Sequence, residues 1–434
     1  MKLFITSLVF LVAAVTGMAQ ETVYPAKAQK APFYIKDGLV HIGNGQVLEK
    51  ATIEVVNGKI TNIGASVTIP TGANVIDAAG KQVYPGLILC TANLGLVEVG
   101  SVRATVDAVE IGEYNPSVRS IVAYNTDSKV INTLKSNGIL LANIVPGGAI
   151  ISGSSSIVQL DAWNWEDAAY KMDNGIHYNF PELMARQGRY GDFGGMGGRG
   201  EDPIKKGLEQ LEKDKAFFKE AKAYSLNPSP KEINLKFEAL KGLFSGKQKL
   251  FVHCDIVREM LLAMDFKKEL GLDVVIVGGS ESYQVADLLK KYEIPVILSQ
   301  LHNLPTLADD AVDQPFKTPA QLQKAGVLFA INDEDGQHRG KNLPFNAGTS
   351  VAYGLTKEQA LCAITLNAAK ILGISDKTGS IEVGKDANIV ISTGDILDMR
   401  SSKIVSAFIQ GRNVDLTDKH KQLFERYKYK YGIK

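Results

Sequence analysis

The strongest constraint on the fold is a series of short segments that are apolar along nearly their whole length. From Val83 onward these segments alternate with longer helical stretches, and they lie at residues 138–145, 249–253, 273–277, 295–298 and 326–331. A strand that is apolar on both faces needs cover on both faces, which is typical of a parallel sheet between helices. Their number fits a closed barrel. The middle of the chain is therefore predicted to be an α/β barrel of the (β/α)8, or TIM, type.

The two ends of the chain have a different sequence pattern. Short β-type segments lie at 33–42 and 51–63, and Asn57 and Gly58 supply the two residues of a tight hairpin turn. Short strands with turn residues return near the C-terminus, at 388–392 and 403–409. This order predicts a small β-sandwich made from both ends. The predicted divisions are a signal peptide at 1–19, sandwich parts at 20–82 and 376–434, and a barrel at 83–375.

The first 19 residues have the features of an export signal. Lys2 gives a positive start, residues 3–15 are mostly apolar, and Gly17 and Ala19 are the small residues of a cleavage site before Gln20. A buried helix or a membrane anchor is the weaker alternative, because the apolar run is too short to span a bilayer. The protein is therefore expected to be exported, to the periplasm or the medium.

Charge and cysteine content narrow the expected partners. The formal net charge is +1, and the one local excess is the basic, tyrosine-containing segment 419–434. Such a segment can hold nucleic acid, but on a neutral protein it is more often a solvated terminal helix. The three cysteines are odd in number and widely spaced, which favours free thiols. We expect a small-molecule ligand, a possible homo-oligomer, no nucleic-acid partner and no membrane span.

Three segments resemble the amidohydrolase superfamily, and in particular its imidazolonepropionase-like branch. Residues 77–88 resemble the approach to the first barrel strand of that family, residues 365–373 its last barrel helix, and residues 379–391 its return to the β-sandwich. The resemblance implies a site at the carboxyl ends of the barrel strands. There a divalent metal, zinc or iron, would make a bound water acidic enough to attack an amide, imide or ester carbon.

The resemblance also implies that much of the metal site is missing. Relatives end the first strand with Asp-x-His-x-His, whereas Thr91 and Asn93 stand at the two histidine positions, and neither replaces an imidazole as a zinc ligand. His253 matches the histidine of strand five, and Asp333 matches the aspartate that touches the metal and takes the proton from water. Where many relatives have a further histidine, this chain has Gly278. The implied partial set is His253 and Asp333, with Asp333 as the catalytic base.

Five other residues are candidates for the substrate pocket. Glu334 and His338 follow Asp333 closely, and His302 follows another strand, although a solvated loop or helix capping explains them about as well. Gly147 and Gly148 follow the strand at 138–145, where consecutive glycines let backbone N–H groups approach an anion; a tight turn is the alternative.

Some segments and residues are left out of the predicted site. The glycine-rich segment 186–203 is either a mobile insertion over the barrel mouth or a plain loop. His41, His177 and His420 lie in segments assigned to the sandwich, to an excursion from the barrel and to the tail.

Two functions remain open from the sequence. The first is a metal-dependent hydrolase of non-peptide C–N bonds in a small cyclic or linear amide. The second is a catalytically inactive binding or scaffolding protein that kept the pocket after losing the metal site, because a fold does not guarantee its usual chemistry.

Overall fold

The computed structural model describes residues 23–184, 202–227, 229–306, 309–333 and 338–433. The predicted signal peptide and nearly all of the glycine-rich segment lie outside these ranges. The described chain is organised by two eight-stranded sheets, one barrel-like and one made from both chain ends. The predicted α/β barrel with a small β domain built from both chain ends is confirmed, and the domain expected as a β-sandwich is organised by one eight-stranded sheet.

The smaller sheet joins strands from the two chain ends. Its strands are β1 (Phe33–His41), β2 (Val47–Val56), β3 (Lys59–Gly64), β4 (Asn74–Asp77), β5 (Gln82–Pro85), β14 (Ile389–Ser392), β15 (Ile404–Ile409) and β16 (Arg412–Asn413). The order is β16-β15-β14-β5-β1-β2-β3, with β4 beside β1. Asn57 and Gly58 have positive φ angles and form the predicted turn between β2 and β3. Phe33 and Phe408 stack at 5.0 Å in its apolar core.

The barrel sheet follows the order of the chain. Its strands are β6 (Leu87–Ala92), β7 (Ile139–Ile144), β8 (Ile151–Gln159), β9 (Ala169–Asn179), β10 (Lys249–Cys254), β11 (Val274–Gly278), β12 (Val296–Leu298) and β13 (Phe329–Ile331). Seven strands point the same way, and β8 is antiparallel to both of its neighbours. One strand thus differs from the all-parallel arrangement that the apolar segments predict.

Helices cover the barrel unevenly. They are α1 (Lys129–Lys135), α2 (Trp165–Ala168), α3 (Pro203–Ser225), α4 (Leu235–Phe244), α5 (Val257–Leu270), α6 (Ala286–Lys291), α7 (Gln314–Ala325), α8 (Leu343–Ala352), α9 (Lys357–Ala363), α10 (Leu366–Leu372) and α11 (Lys419–Tyr431). In the described chain no helix separates β7 from β8, and only the short α2 separates β8 from β9. None of the described helices is long and apolar enough to cross a bilayer.

The barrel is closed through a side chain where its two end strands meet. Asn332, directly after β13, is completely buried. Its Oδ1 accepts hydrogen bonds from the backbone N–H groups of Cys90 (2.8 Å) and Thr91 (3.2 Å), and its Nδ2 donates to the Thr91 carbonyl (3.0 Å). On the other side of β6, Asn143 Nδ2 donates to the Cys90 carbonyl at 3.0 Å. Two buried amides therefore fix the end of β6.

The interior below the strand ends is filled with apolar side chains. Ile88, Leu141, Phe251 and Ile297 belong to one buried cluster inside the ring of strands. Such a barrel has a packed core, so a binding site forms only above it, at the carboxyl ends of the strands.

A buried ion cluster ties the barrel to both ends of the chain. Asp161, just after β8, accepts a hydrogen bond from Lys135 Nζ at 2.8 Å and lies 3.3 Å from the Arg412 guanidinium. The backbone N–H of Ala26 donates to the same carboxylate at 2.8 Å. Both cations are paired with one carboxylate, so removing Asp161 would leave buried positive charge without compensation.

The closure of the barrel predicts a large loss of stability in Asn332→Leu. The leucine leaves two buried N–H groups and one buried carbonyl without partners, which costs at least about 3 kcal/mol of unfolding free energy. Urea denaturation measures the effect. Asn62→Leu is the matched control, because Asn62 is exposed on β3 and bonds only locally, so it should change stability by less than about 0.5 kcal/mol. Similar values for the two variants would contradict closure by Asn332.

Candidate functional site

A cavity of about 250 Å³ opens at the carboxyl ends of β10, β11 and β12. Polar side chains outnumber apolar ones in its lining. Its lining residues are Asp255, Gly278, Ser280, Leu298, Ser299, Gln300, Leu301, Asn303, Leu304, Thr306, Pro315 and Thr318. We call it the rim cavity. It lies on the face where the resemblance to the amidohydrolases places the site.

Asp333 lies directly after β13 and is connected to the wall of the rim cavity. Its carboxylate is buried and its Oδ2 accepts a hydrogen bond from Asn346 Nδ2 at 3.2 Å. Asn346, on α8, also accepts hydrogen bonds from the backbone N–H groups of Leu301 (2.8 Å) and His302 (3.1 Å). Because Leu301 lines the cavity, Asn346 fixes the carboxylate relative to the cavity wall.

His253 forms a direct pair with a histidine of the neighbouring strand. Nε2 of His253, near the end of β10, lies 2.8 Å from Nδ1 of His177 on β9. The His177 ring stacks on Phe251 at 4.8 Å and is completely buried. Removal from water lowers the pKa of His253 from 6.5 to about 4, and it lowers the pKa of His177 well below 6.5. Both imidazoles are therefore neutral at pH 7.

The two positions of the missing histidine pair are occupied by uncharged side chains. Thr91 is buried, and its hydroxyl accepts a hydrogen bond from Asn332 Nδ2 at 2.7 Å. Asn93 follows β6, and its Oδ1 is buried without a hydrogen-bond partner among the described residues. Thr91 is thus part of the barrel closure, and Asn93 offers a neutral acceptor.

The remaining pocket candidates have varied positions. His302 is exposed beside the rim cavity, with its Nε2 2.7 Å from the Thr349 hydroxyl, and partial burial lowers its pKa. His338 begins a short 3-10 helix, His338–Asn342. Glu334 lies outside the described residues. His302 is thus hydrogen-bonded to Thr349 next to the rim cavity.

Gly147 and Gly148 lie in the connection between β7 and β8. The Gly147 N–H donates to the Ala108 carbonyl at 2.7 Å, and Gly148 has a φ of +79°. A Cβ at Gly148 would lie 2.6 Å from a methyl carbon of Val109. These contacts are those of a tight turn packed against the segment before it.

Two side chains of the site were not predicted. His177 was assigned to an excursion from the barrel, yet it lies on barrel strand β9 and contacts His253. Asn346 has no motif around it, and its role depends on contacts between α8, Asp333 and the loop after β12. Only the position of His177 two residues before the end of a β-type segment could have indicated it.

Comparison with known proteins agrees with this fold. Residues 316–417 match the sequence profile described as "Amidohydrolase family". An imidazolonepropionase of Mesorhizobium japonicum is 25% identical over 389 residues, covering 82% of this chain and 88% of that protein. A dihydroorotase of Pelotomaculum thermopropionicum is 26% identical over 406 residues, covering 83% and 89%. The crystal structure of an amidohydrolase from Thermotoga maritima superposes with a TM-score of 0.73 at 25% identity, over 88% of this chain and 99% of that one.

The protein is amidohydrolase-like. The family typically uses a divalent metal, which needs several ligand side chains that converge on one point in this amidohydrolase-like barrel. In the His177–His253 pair one of the two facing nitrogens donates a hydrogen bond, and the other accepts it with its lone pair. Neither of these two nitrogens is therefore available to a metal. Among the described residues, no group of three or more His, Cys, Asp or Glu side chains is arranged to hold an ion. Nε2 of His177 is buried without a hydrogen-bond partner among the described residues, but one such nitrogen does not make a metal site. The described residues supply no set of three ligands, and so they do not fit the expected metal.

The histidine pair predicts a fall in stability as the pH decreases from 6.5 to 4. In this range the unfolded chain, with histidine pKa values near 6.5, binds more protons than the folded protein, so protonation favours unfolding. His253 contributes at most about 3 kcal/mol to this loss. Urea unfolding at a series of pH values should give a shallower fall for His253→Gln than for the wild type.

The matched control for that series is His420→Gln, since His420 is exposed on the terminal helix α11. It should keep the wild-type slope. Equal slopes for wild type and His253→Gln would show that His253 is not held neutral.

Proposed function

We propose that this amidohydrolase-like protein hydrolyses a non-peptide C–N bond of a small cyclic or linear amide at the rim cavity. The observation that carries the proposal is the connection of Asp333 to the cavity through Asn346. A buried carboxylate at the end of the last barrel strand is a group suited to proton transfer. The relatives called imidazolonepropionase and dihydroorotase make a cyclic amide the first substrate class to test.

In the proposed reaction Asp333 is the acid–base group. It accepts a proton from the attacking water as the water oxygen bonds to the amide carbon, and it returns a proton to nitrogen as the C–N bond breaks. Asn346 orients the carboxylate by donating to its Oδ2. The neutral His177–His253 pair adds no charge to the neighbouring strand ends.

A second candidate function is ligand binding without hydrolysis. It is favoured by the side chains at the metal positions, where His253 bonds to His177 and Thr91 bonds to Asn332. Both candidates place a small amide in the rim cavity, so turnover separates them. Export remains part of the proposal and rests on the sequence of residues 1–19.

The proposed role of Asp333 predicts a loss of turnover without a loss of binding in Asp333→Asn. Hydantoin, a small cyclic amide, is the probe. Its ring opening is followed by chromatography and its binding by calorimetry, with the full chain purified without chelator. Asparagine keeps the shape and the contact with Asn346 but is a poor proton acceptor, so kcat should fall at least about 100-fold.

Asp37→Asn is the matched control, because Asp37 lies on β1 in the small sheet and is partly exposed. It should turn over hydantoin like the wild type. Binding of hydantoin with no ring opening by the wild type would favour the second candidate. Full activity of a folded Asp333→Asn variant would refute the role of Asp333, and neither binding nor turnover by the wild type would refute both candidates for this ring.

A further inference from the structure

We propose that the rim cavity selects cyclic amides that carry a positively charged substituent, with Asp255 as the specificity-determining residue, and that it disfavours anionic ones. This inference rests on the proposed function, since it names the substrate class of the same cavity. It is carried by the charges and the unused hydrogen-bond acceptors of the lining.

The charge of the lining has one sign. Asp255 is the only ionisable side chain among the described lining residues, and no Lys, Arg or His lies among them. A negatively charged ligand would meet a like charge without a compensating cation, whereas a positively charged ligand would meet its complement. The preference therefore follows from the residues that form the wall.

Asp255 is held in place through one of its two oxygens. Its Oδ1 accepts hydrogen bonds from the Ser280 hydroxyl at 2.6 Å and from the Ser280 N–H at 3.3 Å. The Ser280 hydroxyl in turn accepts from the Thr306 hydroxyl at 2.8 Å. Oδ2 accepts no hydrogen bond from the described residues, so a ligand can use it while the carboxylate keeps its position.

A second acceptor lies on the adjoining part of the wall. Gln300, two residues after β12, lines the cavity, and its Oε1 is buried without a hydrogen-bond partner among the described residues. A buried acceptor that receives no hydrogen bond destabilises the folded protein, unless a ligand or a water molecule donates a hydrogen bond to it. A ligand with ring N–H groups would satisfy Gln300 as well as Asp255.

The rest of the lining fits the apolar face of a ring. Leu298, Leu301, Leu304 and Pro315 line the same cavity as the polar groups. A flat amide ring offers both an apolar face and N–H donors, and its substituent carries the charge. The lining therefore fits a cyclic amide or ureide with a cationic side chain.

Asp255→Asn tests the charge with little change in shape. The asparagine oxygen can keep the bonds to Ser280, while the second oxygen becomes an NH₂ group that donates instead of accepting. Asp37→Asn makes the same change of charge in the small sheet and is the control. Both variants are checked for folding by thermal unfolding.

The probes are three hydantoins that share one ring and differ at carbon 5. They carry an aminoethyl group (cationic), an ethyl group (neutral) or a carboxymethyl group (anionic). Calorimetric titration of the full chain should give tighter binding of the cationic probe than of the anionic probe by at least about tenfold. Asp255→Asn should reduce that ratio to below about threefold and retain binding of the neutral probe, and Asp37→Asn should keep the wild-type ratio.

An unchanged ratio in Asp255→Asn, tighter binding of the anionic probe, or failure of all three probes to bind would overturn the inference. Ring opening is measured in the same samples. Turnover without a preference set by Asp255 would refute the inference and leave the proposed function intact. A preference set by Asp255 without turnover would support the inference and refute hydrolysis.

Discussion

Closure of the barrel by Asn332 is the interaction on which the rest of the molecule depends. In the described chain β6 and β13 share no ladder of backbone hydrogen bonds, and the Asn332 amide connects Cys90 and Thr91 to the end of β13. The next residue is Asp333, so the same turn closes the barrel and places a carboxylate at its rim. The position of the Asp333 carboxylate therefore depends on the hydrogen bonds of Asn332.

The antiparallel strand β8 divides the rim into two unlike halves. Between β7 and β9 the chain forms a meander whose connection at this rim is the tight turn at Gly147. From β10 to β13 the strands are parallel, and the segments after β10, β11 and β12 form the rim cavity together with the first part of α7. The residues after β8 reach the opposite face, where Trp163 lies exposed against Tyr24. The rim cavity and Asp333 consequently lie at the ends of the parallel strands β10 to β13.

The sequence predicted the architecture better than the site. The apolar segments predicted the barrel, because a strand buried on both faces has a clear sequence pattern. The change to short strands with turn residues at both ends predicted the second sheet. Strand direction leaves no such pattern, so the reversal of β8 was missed. Asp333 and His253 were singled out because they match strand-end residues of the family that the sequence resembles, whereas Asn346 and His177 act through partners distant in sequence.

A crystal structure of the full chain, purified without chelator and soaked with 5-aminoethyl hydantoin, tests the central claim most directly. The claim is that the site is the rim cavity, which Asn346 connects to Asp333, with His177 and His253 hydrogen-bonded to each other. We expect the ring in the cavity, its ammonium group within hydrogen-bond distance of Asp255, and Nδ1 of His177 within hydrogen-bond distance of Nε2 of His253. A metal ion ligated by His253 and Asp333, or the ligand bound outside the cavity, would contradict it.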